Sequence, residues 1–172
     1  DTIANLHHRA SRWLESQDLI EEAVDHALAA GATETAADIV ARHRHSLYNK
    51  DQFARLTRWL RLLPPEAKEH HAGLLLAEAR IAILNSRFTE AAVFLDHAES
   101  ELAKQPRDPA PGTLDAAELM SLRSVLDFWA GDVERFESAS RHLLSVLPPG
   151  ASHLRGMAHT GIASAAYMRG DL

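Results

Sequence analysis

Apolar residues return along this chain at three- and four-residue intervals, the spacing that lines one face of a helix. From Ala72 to Leu102 the pattern is plainest. Leu74, Leu75, Ala79, Ala82 and Ile83 form one run, Ser86-Arg87 break it, and Phe88, Ala91, Ala92, Leu95, Ala98 and Leu102 form a second. The reading is two helices joined by a tight turn, with small residues where they must approach and larger ones on the flanks. Ala91 and Ala98 are therefore expected at the contact between the pair. No stretch alternates polar and apolar over a useful length, so no strands are predicted.

Ile3 to Ser16 carries Ile3, Leu6, Ala10, Trp13 and Leu14 on one stripe and reads as the first helix. Gln17-Asp18 turns the chain into Leu19 to Ala30, with Ile20, Ala23, Ala27 and Leu28 on its face, and Gly31 follows as a C-cap. Thr33 or Thr35 then caps a helix reaching about Leu47 through Ala36, Ala37, Ile39 and Val40. Asn49-Lys50-Asp51 turns the chain again. Phe53 to Leu63 ends at Pro64-Pro65, since proline offers no N–H and restricts the residue before it. Lys104 to Gly112, with Pro106, Pro109 and Pro111, is the longest loop. Thr113 to Ala130, Val133 to Leu147 and Ala151 to Arg169 bring the count to eight or nine helices.

The segments echo one another. Arg12-Trp13-Leu14 returns as Arg58-Trp59-Leu60, 46 positions later, and Leu63-Pro64-Pro65 returns as Leu147-Pro148-Pro149, 84 positions later. Asp18-Leu19-Ile20, Ser86-Arg87-Phe88, Gly131-Asp132-Val133 and Gly170-Asp171-Leu172 mark corresponding turn-and-restart places. The expected fold is all-α: a single TPR-like helical-repeat solenoid of antiparallel helix pairs over residues 1–172. A hairpin of this kind cannot bury its apolar face alone and stacks on its neighbours. The spacing exceeds the ~34 residues of a standard tetratricopeptide repeat, so the repeats are degenerate or carry longer loops. A plain helical bundle is the alternative. The chain has no initiator Met and closes on a restart signal, so a fragment of a longer protein is expected.

Composition narrows the function classes. Thirty of the 172 residues are alanine and aromatics make up only 6%, which favours close-packed helices. A net charge of −6 argues against this segment gripping nucleic acid by itself. There is no cysteine, which excludes disulfides and thiolate metal sites. No apolar run approaches the ~20 residues of a membrane span, and the first residues have no signal-peptide pattern, so cytoplasm is the default compartment.

Candidate chemistry is sparse. Eleven histidines invite a metal reading, but no two are four apart and no HExxH motif occurs. Glu22 and His26 do sit at i and i+4, a spacing typical of a surface contact. The run Arg42-His43-Arg44-His45 could meet a phosphate, though such a run more often ends a helix, where cations suit the macrodipole. Trp13 and Trp59 lie in strong apolar stripes and are assigned to core packing, whereas Trp129 is open to packing or recognition. The eight glycines are scattered without a phosphate-binding pattern, and no nucleophile elbow is present. No metal, cofactor or enzymatic activity is expected of this segment.

One segment carries family information. Leu6-His7-His8-Arg9-Ala10-Ser11-Arg12-Trp13-Leu14-Glu15, followed by Leu19-Ile20-Glu21-Glu22-Ala23-Val24-Asp25-His26-Ala27-Leu28-Ala29-Ala30-Gly31, resembles the large ATP-dependent LuxR-type bacterial transcriptional activators, the MalT-like group. Arg58-Trp59-Leu60-Arg61-Leu62-Leu63-Pro64 is similar to a later motif of the same region. His8 stands where that family usually has Arg, Asp18 where it often has Gly, and Ala32 where Asp is common. The resemblance implies a signal-sensing segment that binds a small inducer or an inhibitory protein in its groove. It also implies an ATP-binding module upstream and a helix-turn-helix DNA reader downstream, neither of them within these residues. The alternative is a TPR-type protein–protein interaction scaffold unrelated to transcription. Self-association is open under both.

In TPR-like stacks the first helix of each hairpin lines the concave surface. Aligning first helices on the turn signals brings His8, Arg12, Arg80, Ser121, Phe128, Trp129, Thr160 and Tyr167 to that surface as ligand-binding candidates. Aromatics to stack, hydroxyls to orient and cations for an acidic group make up a small-molecule site. Trp129 and Tyr167 are expected to face the groove, with Arg80 near its wall.

Overall fold

The computed structural model describes residues 2–104 and 113–171. Among them the chain is entirely helical, with no strand, in ten helices: α1 (Thr2–Ser16), α2 (Ile20–Ala29), α3 (Thr33–Tyr48), α4 (Phe53–Leu62), α5 (Pro65–Glu69), α6 (Ala72–Leu84), α7 (Phe88–Lys104), α8 (Leu114–Trp129), α9 (Val133–Val146) and α10 (Ser152–Arg169). The proline-bearing loop expected over residues 104–112 lies, beyond Lys104, outside the described residues. No helix among them is long and apolar enough to cross a membrane. The chain divides into two compact units, Asp1–Ala77 and Glu78–Leu172.

The turns repeat one another atom for atom. Asp18, Gly31, Asp51, Ser86, Gly131 and Gly170 all adopt positive φ, between 53° and 82°. At each, the following residue's N–H reaches back five positions: Leu19 to the Leu14 carbonyl (3.0 Å), Ala32 to Ala27 (2.9 Å), Gln52 to Leu47 (2.9 Å), Arg87 to Ala82 (2.8 Å), Asp132 to Asp127 (3.0 Å) and Asp171 to Ala166 (3.0 Å). The positive-φ residue itself donates to the carbonyl three back. This is the Schellman closure, which satisfies carbonyls a helix end would otherwise orphan. All four turn-and-restart signals read from the sequence fall on such closures.

Three expectations need correction. Pro64-Pro65 ends α4, as anticipated, but Pro65 also opens the short α5, which sequence reading leaves out. Proline suits that first position because the N–H it lacks would have no helical partner there. Neither Thr33 nor Thr35 caps α3: Ala32 holds the N-cap position, no side chain bonds there, and Thr33 already lies in the helix. Trp13 is not a core residue. It is 61% exposed, with Ile3 and Leu6 beside it on the surface, whereas Trp59 is 1% exposed as expected.

In the first unit, α1 packs on α2, α2 on α3 and α3 on α4. Ile20, Ala23, Val24 and Ala27 of α2 and Ala36, Ala37, Ile39 and Val40 of α3 are buried. Ser11 is α1's fully buried residue; its hydroxyl donates to the Ala23 carbonyl at 2.7 Å, latching the two helices. In the second unit α7 packs on α8, α8 on α9, and α10 on both α9 and α8. Ala91 and Ala98 are fully buried, in keeping with their assignment to a tight contact. Ala117, Leu143, Ala151, Leu154 and Ala158 form the core where α8, α9 and α10 meet.

Candidate binding cleft

Three helical faces in the second unit carry more polarity than a core tolerates without reason. On α8, Ser121, Ser124 and Val125 share a face; on α9, Phe136, Ser140 and Leu143; on α10, His153, Met157, Thr160 and Gly161. The spacings of three, four and seven bring each set to one side of its helix. Together with Ser152 and Gly156 they line a cleft of about 350 Å³. The size falls at the small end of sites that hold small molecules.

The buried hydroxyls are already oriented. Ser124 Oγ donates to the Ser121 carbonyl at 2.8 Å, and Ser140 Oγ donates to the Phe136 carbonyl at 2.8 Å. Each therefore spends its one proton on its own helix, and what remains on the oxygen is acceptor capacity. Ser121 Oγ lies 3.7 Å from the Met157 sulfur.

Behind the lining lies a residue of α6. Arg80 is almost wholly buried, and its Nη1 donates to His153 Nε2 at 3.0 Å and to Met157 Sδ at 3.2 Å. Because a guanidinium has no acceptor, His153 must present an unprotonated Nε2, so the proton of the neutral ring sits on Nδ1. Behind Arg80 is Glu118 of α8, fully buried, with its Oε1 3.5 Å from Arg80 Nε. A buried cation with a carboxylate behind it and two cleft residues before it fixes the cleft's back wall.

The two glycines of α10 at the cleft differ in kind. A Cβ on Gly161 would run into the Ser140 side chain, so close approach of α10 to α9 requires glycine there. At Gly156 a Cβ would meet nothing within 4 Å. Glycine inside a helix costs about 1 kcal/mol relative to alanine, and packing gives no reason to accept that cost at Gly156.

No family model matches the chain, and no solved structure matches it.

The eight residues expected at a ligand surface are dispersed. Ser121 and Thr160 line the cleft, and Arg80 lies behind it, in contact with two lining residues. Arg80 and Ser121 are buried rather than outward-facing. Phe128 and Trp129 are at the far end of α8: Phe128 packs on Phe136 (5.0 Å between rings) and Trp129, largely exposed, packs on Phe88 (5.1 Å). Tyr167 is 76% exposed near the end of α10, outside the cleft lining. His8 and Arg12 are exposed on α1, in the first unit. His153, Met157, Gly156, Ser124 and Ser140 were not anticipated. The signal was there in serines recurring at three- and four-residue spacing inside apolar helices. Among the described residues no group of three or more histidine or carboxylate side chains could hold a metal ion.

Proposed function

We propose that this chain is the signal-sensing helical-repeat segment of an ATP-dependent LuxR-type transcriptional regulator, and that its effector seats in the cleft between α8, α9 and α10. Gly156 carries the reading: a glycine inside a helix, not required by packing, at the lining of a cleft backed by buried Arg80 and its half-buried partner His153. Glycine at such a place lets a ligand approach the helix backbone. The ligand is small and largely apolar, with donors for the serine oxygens. The resemblance over residues 6–31 and the recurrent hairpin turns support a repeat segment that communicates with modules outside it. DNA is then contacted by the downstream helix-turn-helix module and ATP by the upstream one, within a cytoplasmic regulator.

Two measurements test this. The reading frame on either side should encode a phosphate-binding loop upstream and a helix-turn-helix downstream; a frame with neither leaves the scaffold alternative. A thermal-shift screen of small metabolites should yield stabilising compounds, and Gly156→Phe, which fills the cleft without a backbone clash, should abolish their effect. Stabilisation that persists in Gly156→Phe would move the site elsewhere.

A further inference from the structure

Methionine sulfur usually fills gaps among apolar atoms, as Met120 does against the core of α8, α9 and α10. Met157 is set differently. Its Sδ accepts from Arg80 Nη1 of α6 at 3.2 Å and lies 3.7 Å from Ser121 Oγ of α8, and both of those side chains are buried. A thioether is a weak acceptor, and Nη1 divides itself between this sulfur and His153 Nε2 at 3.0 Å. Two good donors therefore meet an atom that uses them poorly. Met157 itself is half-buried and lines the cleft, so a small solute entering the cleft reaches its side chain.

One added oxygen changes the balance. Oxidation to the sulfoxide turns a flexible apolar side chain into a polar, chiral one. In an apolar core the new oxygen would be an unpaired buried acceptor, which is why such oxidation disrupts cores. Beside Met157 the partners are already in place. At 3.7 Å the Ser121 hydroxyl is too far for a strong bond to the sulfur itself, and that spacing admits one oxygen at about the 2.7–2.8 Å of an ordinary O–H···O bond. Arg80 brings positive charge to the same sulfur, and a hydrogen bond from a cation is the stronger kind.

We propose that Met157 is a site of reversible oxidation by hydrogen peroxide, its sulfoxide oxygen held between Ser121 and Arg80 at the wall of the cleft. A sulfur lone pair attacks one peroxide oxygen and the O–O bond breaks as the S–O bond forms. The departing hydroxide takes the proton from the transferred oxygen and leaves as water, so sulfur loses two electrons and the peroxide gains them. Methionine sulfoxide reductases reverse the change. Oxidation places a strong acceptor in the lining where a thioether stood, and the cleft's polarity then follows the oxidant. Arg80, Ser121 and Met157 all belong to the second unit, and the inference needs no effector to bind in the cleft.

The chain has three methionines, so Met120→Leu/Met168→Leu leaves Met157 as its one thioether. Folded protein of this background, treated with hydrogen peroxide, should take up one oxygen by intact mass, and adding Met157→Leu should abolish the uptake. Oxidation should lower the melting temperature only slightly in this background. With Ser121→Ala added the drop should be larger by about 2–4 °C, the loss of one hydrogen bond in a chain of this size. A sulfur fixed against Arg80 and Ser121 also presents one lone pair to the oxidant. Peptides released from the oxidised protein should therefore carry mainly one sulfoxide epimer, reduced by one of the two epimer-specific reductases and left by the other. The epimer ratio is read without Ser121→Ala and stands even where that variant does not fold. No uptake by the folded protein, drops of equal size with and without the Ser121 hydroxyl, or an equal mixture of epimers overturns the inference.

Discussion

Removing the charge of Glu118 alone should be among the most damaging single changes in the second unit. Glu118 is fully buried and Arg80 nearly so, with 3.5 Å between Oε1 and Nε. At that separation and an effective dielectric near 20, the attraction is roughly 4–5 kcal/mol. Desolvating both groups consumes most of it, so the pair itself adds little net stability. Breaking it is another matter. Glu118→Gln leaves the Arg80 guanidinium buried without that carboxylate, and about 3–5 kcal/mol should be lost. Arg80→Met/Glu118→Leu removes both charges and fills similar volume, and it should lie within about 1 kcal/mol of the parent. Urea unfolding monitored by circular dichroism, with Arg80→Met completing the cycle, gives the coupling energy. It should exceed about 2 kcal/mol, because the residues touch and share one burial site. Costs that add within about 0.5 kcal/mol would show that the two charges do not compensate one another, and the account of the cleft's back wall would fall with them.

Four further expectations concern the fold. Ala91→Leu should overpack a fully buried site and cost about 1–3 kcal/mol in thermal or urea unfolding, and a parent-like variant would refute the assigned register. Gly161→Ala should cost a similar ~1–3 kcal/mol through overlap with Ser140, while Gly156→Ala should stabilise by about 1 kcal/mol, a contrast readable in one pair of melts. Ser86→Gly should relieve a left-handed serine (φ 58°) and stabilise by roughly 0.5–1 kcal/mol, with a lower melting temperature counting against the turn assignment. Glu137 is held by Arg169 and Arg141, which lower its pKa from 4.5 to about 2. A depressed carboxylate contributes stability above its unfolded value and loses it as pH falls toward the folded one. Unfolding midpoints should therefore drop between pH 4.5 and about 2, and Glu137→Gln should flatten that slope.

The helices and their turns were legible because both are local. A 3.6-residue apolar period and the left-handed residue that closes six of the ten described helices are written within a few positions of where they act. Asp18 and Ser86 were found by their place in the repeat and then proved to share the backbone state of Gly131 and Gly170. The five residues of α5 were too few to show a period. Trp13 exposes a different limit. Periodicity placed it correctly on a stripe with Ile3 and Leu6, but a stripe does not say what it faces, and α2 meets α1 through Ser11 and His7 instead. The cleft was half legible. Ser121, Thr160 and the neighbourhood of Arg80 came from aligning hairpins, whereas His153, Met157 and Gly156 depend on how three helices splay, and no short stretch encodes that.

The neighbour-to-neighbour wiring of the helices also dictates how the protein comes into being. In both units the more extensive packing joins helices consecutive in the chain, or one step further apart, the Arg80 contacts of α6 with α10 being a longer-range exception, so folding closes mostly short loops. Low contact order of this kind belongs to domains that fold in microseconds to milliseconds. On the ribosome, where residues emerge at about 5–20 per second, each hairpin has time to form before the next helix is complete. Within the first unit the Ser11–Ala23 latch can close as soon as α1 and α2 have emerged, and α3 then arrives at a surface already built to receive it.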